Sequence, residues 1–349
     1  MNLRERLIAA IARDGPMPVS DFMTACLHDP GDGYYATRPG LGAGGDFITA
    51  PHISQMFGEL LGLWAAQVWE RLGPPRPARL VELGPGDGTM MADVLRAATK
   101  AAPSFLCACE IWLVETSAPL AVLQKAALAD QGAQWVESFA AVPIDAPLIV
   151  LANEFLDCLP IDQAVSTADG WAPRRVGIDG AGGLTFQLGA STLPWLGTVR
   201  ESSHALTAFG RTLGEAIARA GGAALLIDYG RDAPGYGDTL QALRGHRKES
   251  PLAHPGEADL TAHVDFPAFL AAARAGGALT APIRSQGDFL RALGAPTRAA
   301  ALAKAWPAQA DVIGRQLARL TAADQMGDLF KAACVHSPGL APPGFETQA

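Results

Sequence analysis

The sequence predicts an α/β fold: a mostly parallel, twisted sheet covered by helices on both faces, with a helical N-terminal region and a β-hairpin insertion. Two observations carry this. A short β-prone segment at 79–81 and largely apolar runs at 111–115, 147–152 and 223–230 alternate with segments rich in helix formers. Strands apolar at nearly every position imply burial on both faces, as in a parallel sheet packed between helices. The first run also leads through Glu82-Leu83-Gly84-Pro85-Gly86-Asp87-Gly88-Thr89 into a helix-favouring stretch, so three glycines sit on a strand-to-helix turn.

A turn of this kind needs glycine because it reaches positive φ without strain and lacks the Cβ that would keep a ligand off the backbone. The helix behind it offers free N–H groups and a positive dipole end. A bare Gly-x-Gly-x-Gly is also an ordinary tight turn, but Glu82 sharpens the pattern. The dinucleotide fingerprint is Gly-x-Gly-x-x-Gly with a carboxylate about 20 residues on. Here the third glycine comes one residue early, and the next strand-end carboxylate, Glu115, comes later than that rule expects. The spacing better suits a ligand without a pyrophosphate, such as S-adenosylmethionine (SAM).

Composition narrows the classes. The 349 residues are 49% hydrophobic and 18% charged, enough for a sizeable core in one large domain with insertions or in two domains. A net charge of −8 argues against a nucleic-acid partner. Five cysteines, Cys26, Cys107, Cys109, Cys158 and Cys334, show no metal spacing and read as reduced thiols. The histidines near 246–263 match no zinc pattern, so no metal is expected. No apolar run approaches the roughly 20 residues of a membrane span, and no signal-peptide core is present. The expected location is the cytoplasm of a bacterial cell, or the mitochondrial matrix in a eukaryote.

In chain order, Leu3, Leu7, Ile8 and Ile11 share one helical face over 3–13. Residues 19–27 read as a second helix with Ser20 as its cap. Tyr34 and Tyr35 fall in a turn-rich loop, and 40–51 form a glycine-rich loop holding Asp46. Pro51 fits a helix N1 position. Ile53, Met56, Phe57, Leu60, Leu61, Trp64 and Val68 make a helical stripe that reads as core. Beyond the glycine turn come a strand at 111–115, a helix at 118–129 and strands at 134–136 and 147–152. Alternation around 179–183 predicts a hairpin. A helix at 203–219 and a strand at 223–230 follow, then a long polar loop at 231–262. A helix at 265–275, a strand at 278–281, two or three helices to 323 and a closing strand at 329–336 complete the chain. The division is a helical cover (1–75), a main domain (76–337) with insertions at 160–200, 231–262 and 285–325, and a flexible tail (338–349).

Polar groups gather where strands end: Glu82 with the glycines, Glu115, Asn153-Glu154 with Asp157, and Asp228-Tyr229. In open α/β sheets ligands lie beyond these carboxyl ends. A single such carboxylate is often only a helix cap, but four such strand ends on one edge are hard to explain by capping alone.

Several stretches together resemble a known family. They are Gly45-Asp46-Phe47-Ile48-Thr49, Phe57-Gly58-Glu59, the glycine turn, Asn153-Glu154-Phe155, and Ile227-Asp228-Tyr229-Gly230. To these add Asp238-Thr239-Leu240-Gln241, Asp259-Leu260-Thr261-Ala262-His263-Val264-Asp265-Phe266 and Met326-Gly327-Asp328-Leu329-Phe330-Lys331. From about residue 3 to 336 the chain resembles the MidA-like SAM-dependent methyltransferases, whose mitochondrial members are protein arginine methyltransferases needed for respiratory complex I assembly. Two departures stand out. Ala50-Pro51-His52 occurs where the family usually has Ser-Pro-Glu, leaving Thr49 as the expected cap and His52 in a carboxylate's place. Ala118 stands where a proline is usual.

The resemblance implies a Rossmann-like class I methyltransferase fold and a protein substrate, possibly a complex I subunit of the 49-kDa type. It places SAM over Gly84, Gly86 and Gly88 near Glu82, with Glu115 accepting the ribose hydroxyls and Asn153 close by. An arginine acceptor is cationic and forked, so carboxylates must hold it and favour proton loss. Asp46, Glu154 and Asp157 are the candidates, with Tyr34 and Tyr35 at the entrance. Two other classes stay open: an NAD(P)-dependent oxidoreductase, disfavoured by the glycine spacing, and a SAM-binding assembly factor with little catalysis. The oligomeric state is open, a dimer included.

Overall fold

The computed structural model describes residues 1–37, 49–129, 131–188 and 197–346. Its centre is a sheet of six main strands: β1 (Ala78–Leu83), β2 (Cys109–Val114), β3 (Gln134–Val136), β4 (Leu148–Asn153), β5 (Gly222–Arg231) and β6 (Phe330–His336). The order across it is β3-β2-β1-β4-β5-β6, all parallel except β6, which runs antiparallel to β5. Short strands flank the β6 edge.

Both sheet faces are packed, and this is why the strands are apolar throughout. Leu80, Ile149, Leu151, Leu225 and Ile227 face a core shared with the Gln55–Arg71 and Thr89–Ala101 helices. Val81, Leu83, Val150, Ala152, Ala224 and Leu226 face one shared with the His204–Ala220 and Phe266–Ala275 helices. The register sets Leu83 level with Val114 and Ala152, Val114 with Val136, and Asn153 with Ile227. The strand ends therefore form one edge, and the order reverses between β1 and β4, the place where such sheets bind ligands.

The N-terminal helices Leu3–Asp14 and Val19–His28 pack in a third core with parts of the inserted strands and of 240–262. The hairpin Gly170–Ile178/Leu184–Gln187 belongs to a five-stranded sheet with Asp162–Thr167, Val199–Ser202 and Met17–Pro18.

Four local expectations are corrected. Ser20 does not cap its helix, because Pro18 holds the cap position and the Ser20 hydroxyl donates to Asp162 at 2.9 Å. Thr49 occupies the cap of Ala50–Ile53 without a side-chain cap bond, its Oγ1 meeting His52 Nδ1 at 2.9 Å instead. The polar stretch 231–262 holds a three-stranded sheet, Gln241–Arg244, Arg247–Glu249 and Asp259–Thr261. The tail packs through Glu346: Leu340 and Phe345 are buried, and the Trp64 indole donates to Pro343 O at 3.1 Å. The five cysteines are free thiols. No helix among the described residues is long and apolar enough to cross a membrane.

Candidate active site

Beyond the β1 and β4 ends lies a cleft with about 1490 Å³ of empty space, open solvent included. One side is the glycine turn. Gly84 (φ 60°) and Gly86 (φ 56°) are left-handed and line the cleft. A Cβ on Gly84 would lie 3.0 Å from Phe155 Cδ2, so the ring and the bare backbone bound one slot. Gly88 (φ 88°) is set back from the cleft. Its Cβ would meet Ala127 Cβ and Gln124 Cα, both at 3.2 Å, so here glycine lets the turn lie against the Ala118–Ala127 helix.

Glu82 is 1% exposed on the cleft wall, and its buried Oε2 has no hydrogen-bond partner. Burial, with the charges of Asp87 and Glu115, pushes its carboxyl up to about 8. An orphaned acidic oxygen beside a glycine cradle calls for a ligand with a donor or a positive charge. Glu115, at the end of β2, accepts from Ser117 N (2.7 Å) and Gln124 Nε2 (2.8 Å), and burial raises its pKa. Gln124 also donates to Gly86 O (2.7 Å) and accepts from Trp135 Nε1 (3.0 Å). This fully buried amide ties Glu115 to the glycine turn. The sequence signal for it was a glutamine, followed by Lys125, in a helix otherwise apolar; it was missed.

The other side follows β4. Asn153 donates to Glu154 Oε1 at 3.0 Å, while its own buried Oδ1 has no partner. Glu154 adopts φ 51°, a left-handed conformation costly for a side-chain-bearing residue. Its carboxylate also accepts from Ala50 N at 3.3 Å. Burial and the Asp157 charge lift it to about 7, against the Asn153 hydrogen bond. Asp157 and Asp228 are both raised by burial, and Asp157 bonds the Tyr229 hydroxyl. Asp228 instead serves the backbone, accepting from Leu156 N (2.8 Å), Asp157 N (3.2 Å) and Tyr229 N (2.9 Å).

Tyr35, Thr49, Pro51 and His52 complete the wall from the N-terminal region. Tyr34 is buried core rather than entrance, its ring edge-on to Tyr35. Asp46 lies outside the described residues. The structure thus gathers Glu82, Gly84, Gly86, Glu115, Asn153, Glu154 and Asp157 around one cleft. Sequence reasoning missed the apolar lining of Met90, Leu120, Phe139, Phe155 and Phe209, whose signal merges with that of ordinary core.

Residues 60–283 match the family of S-adenosyl-L-methionine-dependent methyltransferases. The chain belongs to that family. "Protein arginine methyltransferase NDUFAF7, mitochondrial" of Homo sapiens is 36% identical, the match covering 84% of this chain and 73% of that protein. The Drosophila melanogaster homolog of that name is 34% identical over 95% of this chain and 84% of its own. A candidate methyl transfer enzyme from Burkholderia thailandensis, solved with S-adenosyl-homocysteine bound, superposes with a TM-score of 0.83. It is 29% identical, and the match covers 99% of this chain and 92% of that one. This methyltransferase therefore uses SAM, and the NAD(P)-dependent alternative is set aside. The orphaned Glu82 oxygen and the glycine cradle fit that cofactor.

Proposed function

We propose that this methyltransferase acts on arginine side chains of a protein partner, with a respiratory complex I subunit of the 49-kDa type as the implied substrate. One observation carries the reading. The described residues lining the cleft include seven acidic side chains, Glu82, Asp87, Glu115, Glu137, Glu154, Asp157 and Asp259, and no lysine or arginine. Such a cleft repels anions and favours a cationic acceptor. The names of the relatives point the same way.

SAM, when bound, supplies an electrophilic methyl on a sulfonium. The chain's work is then positioning and charge. In this proposal Glu82, Gly84, Gly86, Glu115 and Asn153 hold the cofactor, with Glu115 toward the ribose and Gly88 seating the turn against the Ala118–Ala127 helix. Asp46, Glu154 and Asp157 hold the guanidinium, and Glu154, with its carboxyl near 7, takes the proton released as the N–C bond forms. The cytoplasm of a bacterial cell is the proposed location; the named relatives are mitochondrial. The deciding experiment incubates the chain with SAM and the candidate subunit and maps the product by peptide mass spectrometry. Methyl on arginine is expected. Methyl on another residue type overturns the arginine assignment, and tight partner binding without transfer points to a holding role.

A further inference from the structure

Gln124 belongs to the Ala118–Ala127 helix and is fully buried. A buried amide has two N–H groups and an oxygen to satisfy, and here each finds a partner. Nε2 donates to Gly86 O at 2.7 Å and to Glu115 Oε2 at 2.8 Å, while Oε1 accepts from Trp135 Nε1 at 3.0 Å. An indole N–H can only donate, so Trp135 fixes which end of the amide faces the carboxylate. The close approach has a cause in the sequence. A Cβ on Gly88 would sit 3.2 Å from Gln124 Cα, so a glycine there lets the helix reach the turn.

One side chain thus joins the glycine turn after β1, the carboxylate at the end of β2 and the indole of β3. Gln124 stands behind the cleft wall, whereas Gly86 and Glu115 line it. Ser117 N holds the other Glu115 oxygen, Oε1, at 2.7 Å. Both oxygens are therefore anchored, one to the loop after β2 and one to the glycine turn, and the carboxylate has a single orientation. Each oxygen can still accept a second hydrogen bond. Burial disfavours the charged form of Glu115, and the hydrogen bonds from Ser117 N and Gln124 oppose that effect.

We propose that Gln124 is a positioning residue for the cofactor: it holds the Glu115 carboxylate in one place relative to the glycine turn, so that the site selects ligands carrying the ribose hydroxyls. This rests on the placement of Glu115 toward the ribose given above. A vicinal diol brings two O–H donors on adjacent carbons. A carboxylate already fixed by the protein accepts them without losing side-chain freedom on binding, which is the advantage of preorganisation.

Calorimetry on the full chain compares S-adenosyl-homocysteine with its dideoxyribose counterpart, which lacks both hydroxyls. The wild type should prefer the ribose form by at least about tenfold. Gln124→Met keeps the length of the side chain and removes its three hydrogen bonds, and the preference should shrink to about threefold or less. Gln124→Asn, too short to span Gly86 O and Glu115, should behave alike and carries the test if Gln124→Met does not fold. A packing role alone would weaken both ligands equally; a preference kept at the wild-type value in these variants overturns the proposal. So does loss of all binding in both, because the role then reaches beyond ribose selection. If Glu115→Gln keeps the wild-type preference, the placement of Glu115 fails and the proposal with it. If Glu115→Gln loses the preference while the Gln124 variants keep it, only the role of Gln124 falls. Arginine methylation of the partner by the wild type is read separately and stands or falls on its own.

Discussion

His52 Nε2 lies 2.9 Å from Asp87 Oδ2, joining the Ala50–Ile53 turn to the glycine turn across the cleft. The side chains are 17% and 27% exposed, so solvent screens the pair only in part. The hydrogen bond to Asp87 raises the His52 pKa above its usual 6.5, against burial. For Asp87, burial works against ionisation, but hydrogen bonds from His52 and Thr89 hold the carboxyl down at about 2. The signs follow from linkage. The histidine contribution is full below pH 6.5 and lost as pH rises through its raised folded value. The aspartate contribution is present above its ordinary 3.8 and lost as pH falls through about 2. Wild type should therefore exceed His52→Gln in stability by up to about 1 kcal/mol near pH 6, and the gap should close in alkaline buffer. Urea titrations at both pH values check this; a gap that does not change with pH would rule out the ionic account.

Gly86 sits on the cleft wall at φ 56°. Gly86→Val puts a β-branched side chain where left-handed backbone costs of order 1–3 kcal/mol and where the cofactor must approach. SAM binding measured by calorimetry should be lost while the far-UV circular dichroism spectrum persists. Wild-type affinity would remove this turn from the cofactor site.

Glu115→Gln keeps the size of the side chain but turns one acceptor into an amide donor facing Ser117 N or Gln124 Nε2. Hydrogen bonds to charged groups are worth roughly 1.5–3 kcal/mol, so SAM affinity should fall at least tenfold, about 1.4 kcal/mol. Measuring the dissociation constant and the melting temperature together separates two roles. A lower melting temperature with unchanged affinity would leave Glu115 as a support for the 115–124 loop and helix.

Glu154 titrates near pH 7 through burial, first of all, and the neighbouring Asp157 charge. Its folded value lies above the unfolded 4.5, so the folded state loses stability as pH rises from 4.5 through about 7. Glu154→Gln removes that loss and should be the more stable protein at pH 8. If the ionised carboxylate takes the acceptor's proton, wild-type transfer should rise through about pH 7, and the variant should be slow, with no such rise. A variant that keeps the wild-type pH–rate profile would assign the titration to another group.

The sheet was legible in the sequence for a definite reason. β1, β4 and most of β5 are buried on both faces, so their local composition alone marks them. Their carboxyl ends carry Glu82, Glu115, Asn153 and Glu154, and a parallel sheet puts such ends on one edge whatever surrounds it. The strands of 241–261 were not legible, because they are short, partly polar and satisfied by partners such as Gln241 against Thr261.

By itself, then, the sequence determined the alternating fold, the glycine turn and the carboxylate-bearing strand ends, all of which depend on periodicity or backbone freedom within a few residues. Only the tertiary structure decided how these were used. Ser20 and Thr49 have the chemistry of caps, yet longer-range or competing partners, Asp162 and His52, take their hydroxyls. The tail is rich in proline and glycine, yet Phe345 packs on Phe289 with ring centroids 5.1 Å apart. Tyr35 and Asp259 are 224 residues apart and meet because the N-terminal core, which takes in both Tyr35 and Leu260, brings their elements to one cleft. Contacts of that kind depend on the shape left between packed layers, which no local pattern encodes.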